Sequence, residues 1–124
     1  MDIEALREYC LAKPAVEESF PFGETTLVFK VKGKIFLLTG LDSPVLEFNV
    51  KCDPEKAVEW REQFAAVQPG YHMNKKHWNT LFLDASLPRP LVKKLIDHSH
   101  DLVSGKFKAL AKAEAKLVPR KAKA

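Results

Sequence analysis

The stretch TTLVFKVKGKIFLLT, residues 25–39, decides the fold. Two runs rich in β-branched and aromatic residues, Thr25 to Val31 and Lys34 to Thr39, flank Lys32-Gly33. A glycine in a short turn between such runs favours a β-hairpin. A third strand follows from Val45 to Lys51, where Leu46, Phe48 and Val50 alternate with Glu47 and Asn49. That alternation implies one packed face and one wet face.

Working outward from these strands, the chain reads as helical on both sides. Upstream of the turn-rich Pro21-Phe22-Gly23-Glu24, Asp2 caps a first helix whose apolar positions Ile3, Leu6 and Cys10, with Tyr9 at the margin, keep a helical period; Pro14 lies past its end. Downstream, Asp53-Pro54-Glu55 combines an N-cap, a first-turn proline and an acid at the positive end of the helix dipole. Ala57, Trp60 and Phe64, with Val67 beyond them, form the expected buried stripe of this second helix, which Pro69-Gly70 ends. Tyr71 to Asn74 and His77 to Leu83 are then expected to be two strands around the turn Lys75-Lys76. Asp84 to Pro88 supplies a turn and cap, and Leu91, Val92, Leu95, Ile96, Leu102 and Val103 recur at helical spacing up to a C-cap at Gly105. The expected architecture is a two-layer α+β fold in the order α-β-β-β-α-β-β-α, a five-stranded antiparallel sheet packed by helices. Residues 1–105 form the single domain and residues 106–124 a basic tail, helical at first and then frayed.

Composition narrows the function classes. A chain of 124 residues, 46% apolar and 29% charged, suits one unaided globular core. No apolar run is longer than Ile35 to Leu38, far short of a bilayer span, and the start Met-Asp-Ile-Glu-Ala lacks the pattern of a signal peptide, so neither export nor membrane anchoring is expected. Cys10 and Cys52 sit in no Cys-x-x-Cys or Cys/His pattern and suit a reducing cytoplasm. The formal charge of +4 is unevenly spread. Residues 1–105 hold 13 Lys and Arg against 15 Asp and Glu, a balance of −2, whereas residues 106–124 hold seven basic residues and Glu114, a balance of +6. A slightly acidic body binds polyanions only through a local patch.

The run Pro69-Gly70-Tyr71-His72-Met73-Asn74-Lys75-Lys76-His77-Trp78-Asn79-Thr80 resembles the signature of the MmcQ/YjbR family. Glu18-Ser19-Phe20-Pro21-Phe22-Gly23, Lys34-Ile35-Phe36, Lys51-Cys52-Asp53-Pro54 and Asp97-His98-Ser99-His100-Asp101-Leu102-Val103 agree with it, so the likeness covers roughly residues 2–107. The resemblance implies helices on an antiparallel sheet, as in secretion chaperones, and a family labelled DNA-binding by prediction. Fold likeness alone does not carry function.

The residues themselves point to a binding module rather than an enzyme. A strand-turn-strand exposing Lys75 and Lys76, with His72, Asn74, His77 and Asn79 as hydrogen-bonding groups, has the parts to grip phosphates, and two-stranded ribbons enter the major groove. Alternation sends Tyr71, Met73 and Trp78 toward the core instead. In the tail Lys108, Lys112 and Lys116 recur every four residues and make a positive ridge on a helix, a non-specific polyanion site. The alternative is a protein-interaction or chaperone-like module, acting with a protein partner or as a homodimer. His72, His77, His98 and His100 lack helical i,i+4 pairing or accompanying thiolates, so no metal or other cofactor is expected. His98 and Asp101 are expected to pair on the surface, Ser99 to bond to the preceding helical turn, Cys52 to be a buried small residue, and Glu17, Glu18 and Glu24 to form a solvated acidic loop.

Overall fold

The computed structural model describes residues 1–70 and 73–105. Its elements are α1 (Ile3–Leu11), β1 (Val16–Ser19), β2 (Thr26–Val31), β3 (Lys34–Gly40), β4 (Glu47–Lys51), α2 (Pro54–Gln63), β5 (Val67–Pro69), β6 (Trp78–Phe82) and α3 (Arg89–Ser104). The strands form one antiparallel sheet in the order β1-β2-β3-β4-β6-β5. The α+β class is as expected, but the sheet has six strands rather than five.

The hairpin forms as read. Lys32 and Gly33 both adopt positive φ, 53° and 76°, the backbone twist that two-residue hairpin turns require. The pairing then slips: Phe29 faces Leu37 while Lys30 faces Ile35, leaving Phe36 as the extra residue of a bulge. The bulge lets the consecutive Phe36 and Leu37 both be fully buried. It also frees the Phe36 carbonyl, which accepts the hydroxyl of Ser99 on α3, while the Ser99 oxygen accepts the Lys51 N–H at 2.8 Å. Ser99 therefore ties α3 to β3 and β4 rather than to its own preceding turn.

Register sorts the two faces. Leu27, Phe29, Leu37, Phe48, Val50, Leu81 and Val67 share one face with the buried side of α3, and with Leu6 and Cys10 of α1 they form the core. Asp2 caps α1 as expected, accepting the Ala5 N–H at 2.8 Å. Glu18 on β1 takes a two-pronged bond from Arg7 on α1, at 2.7 and 2.6 Å. Glu17 and Glu18 thus belong to a strand, not to a loop. Gly105 closes α3 in the left-handed conformation with φ 86°. Asp84 closes a turn through Ser86 at 3.0 Å, and Pro88 occupies the N-cap without a side-chain bond.

The remaining corrections lie between residues 63 and 83. The second helix stops at Gln63, and Phe64 turns to extended backbone, φ −133°. Phe64 and Val67 therefore leave the helical stripe, and Val67 is buried on β5 opposite Leu81. Strand pairing and burial override a sequence with no helix breaker before Pro69. Residues 73–77 are turn rather than strand. Lys76 N–H donates to the Asn74 side chain at 2.9 Å, and the Asn74 carbonyl accepts from His77 and Trp78 at 3.1 and 3.0 Å. An Asx turn competes with a sheet ladder, and on the side of β6 away from β4 the pairing strand among the described residues is Val67–Pro69, before the turn, rather than residues 73–74.

Candidate polyanion-binding end of the sheet

The antiparallel register gathers the starts of β1, β3 and β6 and the ends of β2, β4 and β5 at one end of the sheet. Lys30, Lys32 and Lys34 arrive there on the hairpin, Lys51 on the end of β4, and Lys75, Lys76 and His77 before β6. A groove of about 410 Å³ opens between them, lined by Lys32, Lys34, Lys51 and His77 together with Ile35 and the last turn of α3. No carboxylate is among its described lining residues. Lys32 Nζ donates to the Ser104 carbonyl at 2.9 Å, placing a cation at the negative end of the α3 dipole.

The 73–77 turn is held by Arg61 of α2. Its guanidinium donates to the Lys75 carbonyl, to the Trp78 carbonyl at 3.3 Å and to the Asn79 side-chain oxygen at 2.6 Å. Asn79 donates in turn to the Ala57 carbonyl at 3.4 Å, and the Cys52 N–H donates to the His77 carbonyl at 2.7 Å. Gly70 is needed at the base of the turn, because a Cβ there would sit 3.0 Å from the Trp78 Cβ and 3.2 Å from its carbonyl oxygen.

The candidate residues from the signature separate accordingly. Lys75 and Lys76 are exposed and His77 borders the groove. Asn74 is exposed, but its side chain shapes the turn. Asn79 is corrected outright: at 1% exposure it is a buried link between Arg61 and α2, because β6 points Asn79 and Leu81 inward and Trp78 to the other face. His72, Lys108, Lys112 and Lys116, and with them the tail helix, lie outside the described residues. Lys32, Lys34, Lys51 and Arg61 are the residues that sequence reasoning passed over. The signal for the lysines was the i,i+2 repeat Lys30, Lys32, Lys34 in a hairpin whose second strand must start beside the end of the third.

Other polar groups are engaged within the fold. Cys52 is buried and its thiol is pushed up to about 11, chiefly by loss of solvent, far from a reactive thiolate. His98 accepts the Asp53 N–H at 3.2 Å, and burial, with Lys56 beside it, holds its pKa below the ordinary histidine value while Asp53 and Asp101 oppose that shift. His100 lies 3.3 Å from the Pro14 carbonyl and edge-on to Phe36. Tyr9 donates to Asp97 at 2.6 Å, joining α1 to α3 beside the Lys13–Asp97 ion pair; its hydroxyl is pushed up to about 12 by burial and then by Asp97. No helix among the described residues is long and apolar enough to cross a membrane.

Fold and site together define a two-layer α+β protein with helices on one sheet face and lysines gathered at one sheet end. The chain belongs to the YjbR family, which it matches over residues 11–102. It is 37% identical over 115 residues to the uncharacterized protein YbdF of Escherichia coli O157:H7, covering 93% of this chain and 92% of that one. To the uncharacterized protein YjbR of Escherichia coli K12 it is 35% identical over 100 residues, covering 81% and 85% of the two chains. The crystal structure of Deinococcus radiodurans protein DR2400, family-model domain DUF419, superposes with a TM-score of 0.80 at 39% identity, covering 84% of this chain and 79% of that one. A Pseudomonas syringae protein of known crystal structure gives 0.71 at 25% identity, covering 83% and 99%.

Proposed function

We propose that this chain is a non-catalytic module that takes nucleic-acid phosphates at the basic end of its sheet. The observation that carries the reading is the 410 Å³ groove with Lys32, Lys34, Lys51 and His77 on its lining and no carboxylate among its described lining residues. In a body of net charge −2 such a one-signed site is a local choice and not a reflection of composition. Lysine ammonium groups meet phosphate oxygens as point charges, so the groove grips the backbone without reading base identity. Lys75 and Lys76 extend the positive surface from the groove along the 73–77 turn.

Binding of a labelled oligonucleotide as a function of salt tests this. Each lost phosphate contact lowers the slope of log K against log salt by roughly 0.7 to 0.9. Lys34→Gln with Lys51→Gln is expected to weaken binding and to flatten the slope by two such contacts. An unchanged slope in that variant removes the groove from the reading.

A further inference from the structure

The opposite end of the sheet is built on the reverse plan. Phe22 is 66% exposed, Phe20 49%, and Leu41 and Val45 43% each. The two phenyl rings stand in the β1–β2 connection and the two aliphatic side chains in the β3–β4 connection. These connections touch, since Leu41 N–H donates to the Thr25 carbonyl at 2.7 Å and Thr26 pairs with Gly40. A groove of about 300 Å³, lined by Met1, Ile3, Gly40, Leu41 and Leu46 with Asp2 and Ser43, adjoins the apolar surface. Phe20 and Phe22 belong to the motif Glu18-Ser19-Phe20-Pro21-Phe22-Gly23, yet neither ring is part of the core cluster. Several large apolar side chains left outside in neighbouring loops mark an interaction surface more often than isolated ones do.

Charge selects the occupant. Asp2, Glu4, Glu24, Asp42 and Asp84 are exposed at this end and Glu47 is half-buried there, against Arg89, Lys93 and the α-amino group of Met1. An anionic membrane surface or a nucleic acid is repelled by such a rim. A second copy docked by the same face would set acid against acid, which disfavours a twofold contact. The complementary ligand is cationic and apolar at once. We infer that this end docks a lysine- or arginine-bearing segment of a partner protein, whose apolar side chains cover Phe20 and Phe22 and whose cations meet Glu24, Asp42 and Asp84. The site is separate from the lysine groove, which lies at the other end of the sheet.

The test uses the full chain and three labelled peptides of about twelve residues, built from Lys and Leu, from Lys and Ser, and from Glu and Leu, with binding followed by fluorescence anisotropy. The Lys/Leu peptide is expected to bind best. Phe20→Ser with Phe22→Ser is expected to cost at least about tenfold in affinity while leaving the unfolding midpoint unchanged, because both rings are exposed. Glu24→Gln with Asp42→Asn is expected to weaken binding and to flatten its salt dependence, whereas Lys34→Gln with Lys51→Gln leaves it as it was. Unaltered affinity in the double phenylalanine variant overturns the inference, as does equal binding of the Lys/Ser or the Glu/Leu peptide. A dimer of the unliganded chain in light scattering, dissociated by Phe20→Ser with Phe22→Ser, would make a second copy the occupant and overturn it too.

Discussion

The two ends of the sheet are made from the same strands and differ in what sits on their loops. At one end Lys32, Lys34 and Lys51 line a groove, with Lys75 and Lys76 on the turn before β6, and the backbone there is held by Arg61, Asn79 and Ser99. At the other, Phe20, Phe22, Leu41 and Val45 stand exposed among Glu24, Asp42 and Asp84. The contrast teaches that a small charge difference for the whole body conceals a cluster of lysines at one end and of carboxylates at the other. Antiparallel pairing produces that separation without long-range machinery, since it brings alternate loops to the same end.

The largest effect is expected from Arg61→Met, which should break the basic end alone. It removes a donor from the Lys75 carbonyl, from the side-chain oxygen of buried Asn79 and from the Trp78 carbonyl, which keeps the Gly70 N–H, and a destabilisation of about 2–4 kcal/mol is expected in urea unfolding. Lys75 and Lys76 then lose their fixed presentation and oligonucleotide affinity falls, while affinity for a Lys/Leu peptide at the other end stays as it was in molecules that remain folded. Ser99→Ala sharpens the same contrast. It leaves the Phe36 carbonyl and the Lys51 N–H without their partner, at an expected cost of about 1–3 kcal/mol, read as a lower urea midpoint.

Truncation after Gly105 separates field from groove. The charge removed is +6, and since α3 is already capped at Gly105 the body is expected to stay folded but to lose most of its low-salt oligonucleotide affinity. Near-full retention would show that the groove supplies the affinity without the charge of residues 106–124.

A smaller effect follows from His98, which lies between α2 and α3 among Lys56, Lys94, Asp53 and Asp101. Its folded pKa is lowered from 6.5. As pH falls through the unfolded value, the unfolded chain takes up a proton that the folded chain resists, so stability drops and then levels once the folded ring also titrates. His98→Gln keeps an acceptor for the Asp53 N–H and is expected to flatten urea midpoints between about pH 7 and pH 5; an unaltered profile would remove His98 as the cause.

Much of the fold was legible because its signals are local. The alternation of Phe48 and Val50, the positive-φ turn at Lys32-Gly33, the cap at Asp2 and the glycine at 105 each act through neighbours in sequence. What was missed depends on tertiary contacts. Val16–Ser19 is a short edge strand carrying two glutamates and reads as loop until β2 pairs with it. Val67 joins a strand because Leu81 lies opposite, and Asn79 is buried because Arg61 and Ala57 receive it. The candidate site was therefore half legible: Lys75, Lys76 and His77 stand out in the signature, whereas Lys34 and Lys51 become neighbours only once β3 and β4 are paired.

The most direct test of the central claim is the salt dependence of oligonucleotide binding by Lys34→Gln with Lys51→Gln, set against Glu24→Gln with Asp42→Asn at the opposite end. The account predicts a slope reduced by roughly 1.4 to 1.8 in the lysine variant and an unaltered slope in the acidic-end variant. Equal slopes in the lysine variant and the parent chain would contradict it.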